Sequence, residues 1–533
     1  MPAQKKRHHS GKLLAVTVLA MLALLSIVNC KMILKPLLSF VQHDLVFEEF
    51  IDEVQKGYIS DNFVCKNDFV NLNGLFARLT GRRTLNDVVR LNNGMLGWAM
   101  QDVDMTAMAN GITGLSEYLN ELNIPLLYVQ IPFKEALDGQ TYPVGITSYA
   151  NKNADNLLFQ LSAGGVESLD LRPLLAQTPE MLEQYFAKTD HHWNNDGSFA
   201  AFQEILGCLH ELFPEGNIDL TYAQADQWER HAINDWFLGS LGKRVGIFFG
   251  GTDPLIWYTP KFETEMSCTI PKYEWFVRGD FSEANIRTLY IEEKDYFKYN
   301  AYCVYIGGDY PLVQHRNLNA PSPLKVLMIR DSFTTPLQTY LSTAFQEVDT
   351  IDPRYFFTCS VAEYVEWTRP DVVIFAINPS VFTLEEYKHF GVEQIPPVKT
   401  ENGFYDIVTQ QDMEVEASDN DRNYMAYPLE ANTLYRVTFE KVDILEGDTE
   451  GIVLHLYDRT IEAALENAIF DLTYCEATNG FSWTFRTPDI QDELQLLFYA
   501  GIYGATAGNG LIYRNVTLEK LGSVTHFDNH GSI

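Results

Sequence analysis

Apolar residues recur along this chain with two periods, and the change from one to the other divides it. Over 104–122 the spacing of Met108, Ile112, Leu115 and Leu119 predicts a helix, and the apolar run 124–131 reads as a buried strand. A second strand follows at 166–171. Residues 179–186 read as a helix with Thr178 as N-cap and Pro179 at its first position. Over 198–212, Phe199, Phe202, Leu206 and Leu209 share one face, with Asp196 or Ser198 as cap. Strands at 325–330, 347–351 and 371–377 alternate with helices near 336–345 and 360–367. That is the βαβ rhythm of a doubly wound parallel sheet. Residues 230–310, rich in Gly, Tyr and Phe, read as a β-rich insertion over one edge.

Beyond the Pro-Pro pair at 396–397 the period shortens. Runs at 434–439, 452–457, 481–485, 494–499 and 511–518 alternate strand-like between turns, with one helical patch at 460–467. This is the pattern of a β-sandwich, expected over 405–521. Residues 36–75 read as a stalk, helical or irregular, and 76–398 as an α/β domain that the turn signals near 91–99 open.

The N-terminus has a different texture. Lys5, Lys6, Arg7 and Lys12 precede an uncharged apolar run from Leu13 to Cys30, followed by Lys31 and Lys35. About 18 residues is near the minimum for crossing a bilayer. A cleaved signal peptide is the competing reading, but no small-x-small cleavage site stands out. Cys30 as a lipoprotein cysteine fits poorly, since Val28 and Asn29 precede it. Residues 1–35 are therefore expected to form a cytoplasmic tail and single membrane-spanning helix, with the rest of the chain extracytoplasmic.

Charge narrows the partners. The chain carries 39 Lys and Arg against 71 Asp and Glu, a net −32, and all six basic residues of 1–35 lie without an acid, leaving −38 outside the anchor. Such a surface repels polyanions, which excludes nucleic acid as a partner and makes a strongly anionic glycan the poorer expectation. Seven scattered cysteines without a CxxC pair give no support to zinc or thioredoxin-like chemistry, and buried free thiols are expected.

Candidate chemistry comes from two distant segments. Asp190 and His192, in the run Asp-His-His-Trp between two helices, supply an orienting carboxylate and a general base. In an extended segment they share a side while His191 faces away. A metal site is the rival reading, but no third or fourth ligand at a suitable spacing is evident. Ser332 supplies a nucleophile, at the carboxyl end of a strand and before a helix that starts at Thr335-Pro336, where reactive groups collect on open α/β sheets. The alternative is a turn serine satisfying its own backbone. The Asp-His-His-Cys palmitoyltransferase signature is ruled out, because Trp193 stands where the thiol would be. Gly239-Ser-Leu-Gly242-Lys243 lacks Walker A spacing. Trp483, Tyr499 and Tyr513 could stack on sugars, against the core packing that alternation favours.

Together Asp190-His-His-Trp193, Pro132-Phe-Lys134, Gly307-Gly308-Asp309-Tyr310, Arg330-Asp331-Ser332-Phe333 and Asp352-Pro-Arg354-Tyr355 resemble the DHHW family, related to the AlgJ/AlgX-type SGNH-hydrolase-like proteins of exopolysaccharide O-acetylation. The resemblance spans roughly 75–395. It implies a Ser332–His192–Asp190 triad in permuted order, no cofactor and no metal. Gly308, Asn378, Arg354 and Tyr355 are offered for the oxyanion hole or substrate, and the C-terminal sandwich as a carbohydrate-binding module. The function implied is an anchored serine O-acyltransferase moving acetyl groups onto a polysaccharide, beside a membrane-bound O-acyltransferase. A polysaccharide O-acetylesterase with the same triad and a non-catalytic glycan-binding scaffold are the alternatives.

Overall fold

A computed structural model describes residues 64–378, 406–490, 493–502 and 504–523. The apolar run from Leu13 to Cys30 and most of the expected stalk lie outside them. Among the described residues no helix is long and apolar enough to cross a membrane.

The chain forms two compact units, one from residues up to Val88 with Gly242–Gly251, the other from Val89–Leu241 and everything from Thr252 onward. In the first, helix Lys66–Leu79 packs on Ile247–Gly250. A Cβ on Gly74 would sit 2.1 Å from the Val245 carbonyl oxygen, so only glycine permits that approach.

The second unit is built on an eight-stranded sheet. Its strands are β1 (Leu126–Gln130), β2 (Glu167–Asp170), β3 (Met266–Ile270), β4 (Trp275–Gly279), β5 (Leu312–Asn317), β6 (Ser322–Arg330), β7 (Phe345–Ile351) and β8 (Val372–Ala376). The spatial order is β2-β1-β8-β6-β7-β5-β3-β4. The first five run parallel, whereas β5, β3 and β4 are added antiparallel. The sheet is thus mixed. Residues 266–279 extend it and do not form a separate insertion, which is confined to the hairpin Trp228–Phe237 with Asp253–Pro260 and short helices.

Residues 126–129 of β1, 326–329 of β6 and all of β8 are apolar without interruption because both faces are covered. Leu127, Val129, Val326, Met328, Val372 and Ile374 join one core, with α3 (Asn195–Leu212) and α4 (Thr335–Ala344) over them. Their neighbours Leu126, Tyr128, Leu327, Ile329, Val373 and Phe375 join the other, under α1 (Thr106–Glu121), α2 (Ala150–Ala163) and α5 (Val361–Thr368). Each such buried side chain contributes roughly 1.5–3 kcal/mol of transfer free energy.

The cap of α3 is Asn194, whose side chain accepts from Gly197 N at 3.0 Å, and neither Asp196 nor Ser198 takes that place. Helix Pro179–Tyr185 is capped by Thr178 as expected. The C-terminal strands form two antiparallel sheets around a core of their own. One pairs Asp406–Val415, Gly510–Ser523, Thr433–Thr438 and Ser482–Arg486, with Lys441–Glu446 on the Gly510–Ser523 strand. The other pairs Tyr424–Leu429, Leu494–Tyr499, Gly451–Asp458 and Ala463–Asp471. The patch expected to be helical at 460–467 falls largely in that last strand, paired with Gly451–Asp458. This second sheet meets the α/β part: Val453, Ile469 and Leu497 pack with Phe276, and Arg278 on β4 pairs with Asp471 at 2.7 Å.

Candidate active site

β6 ends at Arg330, and the backbone leaves it extended at Asp331. The Asp331 carboxylate accepts from Phe333 N at 2.9 Å and closes a 3-10 turn, Ser332–Thr334, from which α4 starts with Pro336 in its first turn. Its other oxygen accepts from Asn378 N at 2.8 Å, at the end of neighbouring β8, and Asn378 Nδ2 donates to the Pro132 carbonyl after β1 at 3.1 Å. Ser332 therefore stands over the carboxyl ends of three adjacent parallel strands, where crossovers diverge to opposite sides of the sheet. Burial pushes the Asp331 pKa up to about 6, opposed by Arg354 and the two N–H donors.

His192 reaches the serine from the loop between helix Pro179–Tyr185 and α3. Nε2 lies 2.8 Å from Ser332 Oγ, and Nδ1 lies 2.6 Å from Asp190 Oδ1. With the ring neutral, this network assigns the proton to Nδ1, donating to the carboxylate, and leaves Nε2 to accept from the hydroxyl. Asp190 is fully buried and Ser332 is half-buried. Burial, and then His191, holds the His192 pKa down to about 4, against the pull of Asp190. Burial alone would raise the Asp190 pKa, but the two imidazoles beside it carry it well below the ordinary range. The His192 ring stacks on Tyr302 at 4.0 Å, and the Tyr302 hydroxyl donates to the Phe333 carbonyl at 2.7 Å. One aromatic residue thus fixes both the base and the turn that carries the serine.

The Asp-His-His-Trp loop is held from beneath. Trp193 is fully buried against Phe333 and forms a bridge with Phe186. Lys134, 2% exposed, donates from Nζ to the carbonyls of Leu96 at 2.8 Å, Ala187 at 2.5 Å and Asp190. Asp253 accepts from Thr189 N at 2.7 Å and Lys188 N at 2.5 Å. Ser240 N donates to Asp190 Oδ2 at 2.5 Å, and a Cβ on Gly239 would fall 2.4 Å from the Asp190 Cβ. Glycine is required for that approach. Sequence reasoning gave no role to Asp253, Gly239, Ser240 or Tyr302. The only signals for them were Gly-Ser after an aromatic run and an isolated Asp-Pro.

His191 corrects an expectation. The segment bends over Lys134 and is not extended, so His191 does not face away: its ring lies 3.8 Å from that of His192, and Nδ1 is 3.1 Å from Asp190 Oδ1 and 2.9 Å from Ser240 Oγ. Asp190, His191 and His192 offer three possible metal-ligand atoms within 4.8 Å of one another, although both His192 nitrogens are engaged by Asp190 and Ser332.

The remaining expected residues divide. Gly308 belongs to the loop presenting Asp309, which lies 3.4 Å from both Arg330 and Thr335 Oγ1. Arg354 pairs with Asp352 through Nε at 2.9 Å and its terminal nitrogen at 2.6 Å, and reaches Asp309 at 3.5 Å. It is held in an ion-pair cluster with buried Arg330 and is not a lone substrate cation. Tyr355 is 44% exposed beside it. In the sandwich, Tyr499 and Tyr513 are 3% and 0% exposed, so their ring faces are closed to a sugar: Tyr513 points into the sandwich core, whereas Tyr499 lies on the other face of its sheet with Val453, Ile469 and Leu497, against Phe276, and the Tyr513 hydroxyl donates to the Tyr499 carbonyl. Trp483 is half-buried against Phe485.

Among solved structures, the chain is similar to Bacillus cereus PatB1, with 22% identity over 55% of this chain and 96% of that one, TM-score 0.47. It is also similar to a DHHW family protein from Eubacterium siraeum, with 17% identity, 58% and 95% coverage and TM-score 0.42. Pseudomonas aeruginosa AlgX aligns at 12% identity over 82% of this chain and 95% of its own, TM-score 0.35. No curated protein matches the sequence. Residues 94–230, which contain Asp190 and His192 and stop short of Ser332, match the family described as SGNH hydrolase-like domain, acetyltransferase AlgX. That match covers 137 of the 533 residues, and what this segment shares with that family includes the part of the chain that carries Asp190 and His192.

Proposed function

We propose that the protein is a membrane-anchored, extracytoplasmic serine O-acetyltransferase acting on a polysaccharide. The observation that carries this reading is the continuous hydrogen-bond chain from Asp190 through His192 to Ser332. Ser332 Oγ gives its proton to His192 Nε2 as it attacks the acetyl carbonyl of a donor ester. The C–O bond to the leaving group then breaks, and His192 returns the proton to that oxygen. An acetyl-Ser332 ester remains. A sugar hydroxyl next gives its proton to His192, attacks the acetyl carbon and displaces Ser332 Oγ, which regains the proton.

Asp190 keeps the imidazole in the tautomer this requires and stabilises the imidazolium formed in each half. The Ser332 backbone N–H is the first proposed donor to the oxyanion, with Gly308 and Asn378 as further candidates. A membrane-bound O-acyltransferase would supply acetyl equivalents to a domain anchored through Leu13–Cys30, and the C-terminal sandwich would engage the glycan.

The test incubates the full chain with p-nitrophenyl acetate, with and without oligosaccharide acceptors, beside Ser332→Ala. Acetylated sugar and an acetyl-Ser332 peptide by mass spectrometry, both lost in the variant, are expected. Acetate release at the same rate whatever the acceptor would assign the esterase reaction instead. Turnover that survives Ser332→Ala would reject both.

A further inference from the structure

Helix Lys66–Leu79 is apolar on two opposite sides. One side holds the buried Gly74 and Ala77 and packs on Ile247–Gly250. Around that contact Ile247 N donates to Asn71 Oδ1 at 2.8 Å, and Arg78 donates to the Phe248 carbonyl at 3.1 Å. The other side carries Phe69, Leu72, Phe76 and Leu79, spaced three or four residues apart and so aligned in one stripe. They are 44%, 58%, 63% and 76% exposed, and Phe248 in the same unit is exposed as well. Apolar residues scattered singly over a surface are ordinary, whereas a row of them on the water side of a helix marks a surface that meets something apolar.

Charge changes sign in the same unit. Residues 64–88 and 242–251 hold Lys66, Arg78, Arg82, Arg83, Lys243 and Arg244 against Asp68 and Asp87, a net +4 in a chain of net −32. The arginine pair follows the stripe directly. The helix ends at Thr80, Gly81 takes φ 73°, and Arg82 N donates back to the Ala77 carbonyl at 2.9 Å. That turn delivers Arg82 and Arg83, both exposed, just past the most exposed residue of the stripe.

An apolar row on a basic unit fits the interface of an anionic bilayer, where apolar side chains sink below the headgroups and basic ones stay among the phosphates. A second copy fits worse, because two such units facing each other repel. The sequence leading into this helix also carries the apolar run Leu13–Cys30 with Lys31 and Lys35 behind it. We propose that the unit built on Lys66–Leu79 docks on the surface of a bilayer containing anionic phospholipid, with Phe69, Leu72, Phe76 and Leu79 inserted and Arg82 and Arg83 on the phosphates. The docking rests neither on the acyl-transfer reading nor on Leu13–Cys30 crossing the bilayer.

Full-length protein is combined with vesicles of phosphatidylcholine, alone or with roughly a third phosphatidylglycerol, whose acyl chains carry bromine as a short-range quencher of tryptophan. The eight native tryptophans all lie outside this unit, so the wild type sets the baseline. Phe76→Trp should add a component that brominated lipid quenches in the anionic vesicles, and high salt should weaken it. Adding Arg82→Glu and Arg83→Glu to that variant should lower its ratio of quenched to unquenched indole at least about 10-fold. A thermal melt establishes that each variant is folded; should Phe76→Trp not fold, Leu79→Trp carries the same probe. Quenching no greater than in the wild type, equal quenching in pure phosphatidylcholine, or quenching indifferent to the two charge reversals would each overturn the proposal. An introduced indole shielded from iodide as protein concentration rises, yet untouched by brominated lipid, would assign the face to a second copy instead. Alkaline carbonate extraction separates docking from anchoring. Protein that is quenched but extractable would support the docking and reject the anchor alone, and protein that resists extraction but is not quenched would reject the docking alone.

Discussion

Lys134→Met removes the buried ammonium under the Asp190 loop and keeps most of its volume. At pH 7 the wild-type group is charged, since burial lowers its pKa only to about 8, with Asp253 and Asp190 opposing the shift. Its loss leaves the carbonyls of Leu96, Ala187 and Asp190 without their donor and takes from buried Asp253 a cation that opposes its desolvation. Stranding such groups costs about 3–5 kcal/mol. The lysine also carries a penalty of its own: a fall from 10.5 to about 8 disfavours the ammonium in the fold by about 3 kcal/mol. Between pH 8 and 10.5 the unfolded chain therefore holds a proton that the folded chain has released, so wild-type stability rises with pH across that window. Lys134→Met lacks that slope. Urea unfolding followed by tryptophan fluorescence at pH 7, 8.5 and 10 should find the variant about 3–5 kcal/mol weaker at pH 7, with the gap widening at higher pH. Because the Asp190 carbonyl is freed, the base should drift, and kcat for p-nitrophenyl acetate should fall roughly 10–100-fold with little change in KM. A variant as stable and as active as the wild type, or a gap that narrows above pH 8, would refute the reasoning.

Other outcomes follow from the same geometry. Asp190→Asn should cut p-nitrophenyl acetate turnover about 10⁴-fold through loss of tautomer control while leaving the melting temperature measurable, which separates an orienting role from simple misfolding. The base must be neutral, so kcat/KM should hold level down to about pH 5 and fall with a midpoint near 4; His191→Gln should move that midpoint upward, and a wild-type midpoint at 6.5 would contradict the balance of burial over Asp190. Tyr513→Phe removes a buried hydroxyl that donates to the Tyr499 carbonyl and should cost about 1–2 kcal/mol in urea unfolding, with glycan binding by the full chain unchanged, as a core role requires.

Much of the α/β part is legible in sequence because its strands are buried on both faces. β1, β6 and β8 stand out as apolar runs, and α1 and α3 show one apolar face. Other elements leave no such trace. Helix α2, Ala150–Ala163, buries only Ala150, Asn153, Ala154, Leu157 and Leu161, and that face is too poor in large apolar residues to declare itself. Residues 463–468, Ala-Ala-Leu-Glu-Asn-Ala, favour a helix by intrinsic propensity, but pairing with Gly451–Asp458 makes them a strand. β3, β4 and β5 join the central sheet through contacts such as Gln314 with Asp349, which no local window contains. Alternation in the sandwich separates Tyr499 from the core face of its strand, but not that the α/β part, through Phe276, covers the face it lies on.

The site follows the same division between local and assembled information. Asp190 and His192 are two residues apart, and their pairing is a local fact; Ser332 lies 140 residues on and reaches them only because β1, β8 and β6 are adjacent in the sheet. Gly307–Tyr310, Arg330–Phe333 and Asp352–Tyr355 are dispersed in sequence, yet Asp309, Arg330, Asp352 and Arg354 form one cluster at that edge. Charge behaves alike. A net of −32 is a sum over the chain and sets the far field, whereas specificity is decided where solvent is displaced. The cluster balances two arginines against two aspartates and so offers an incoming anion no net attraction. Arg287, outside it, has no carboxylate within ion-pair distance among the described residues, so the local sign there departs from the total.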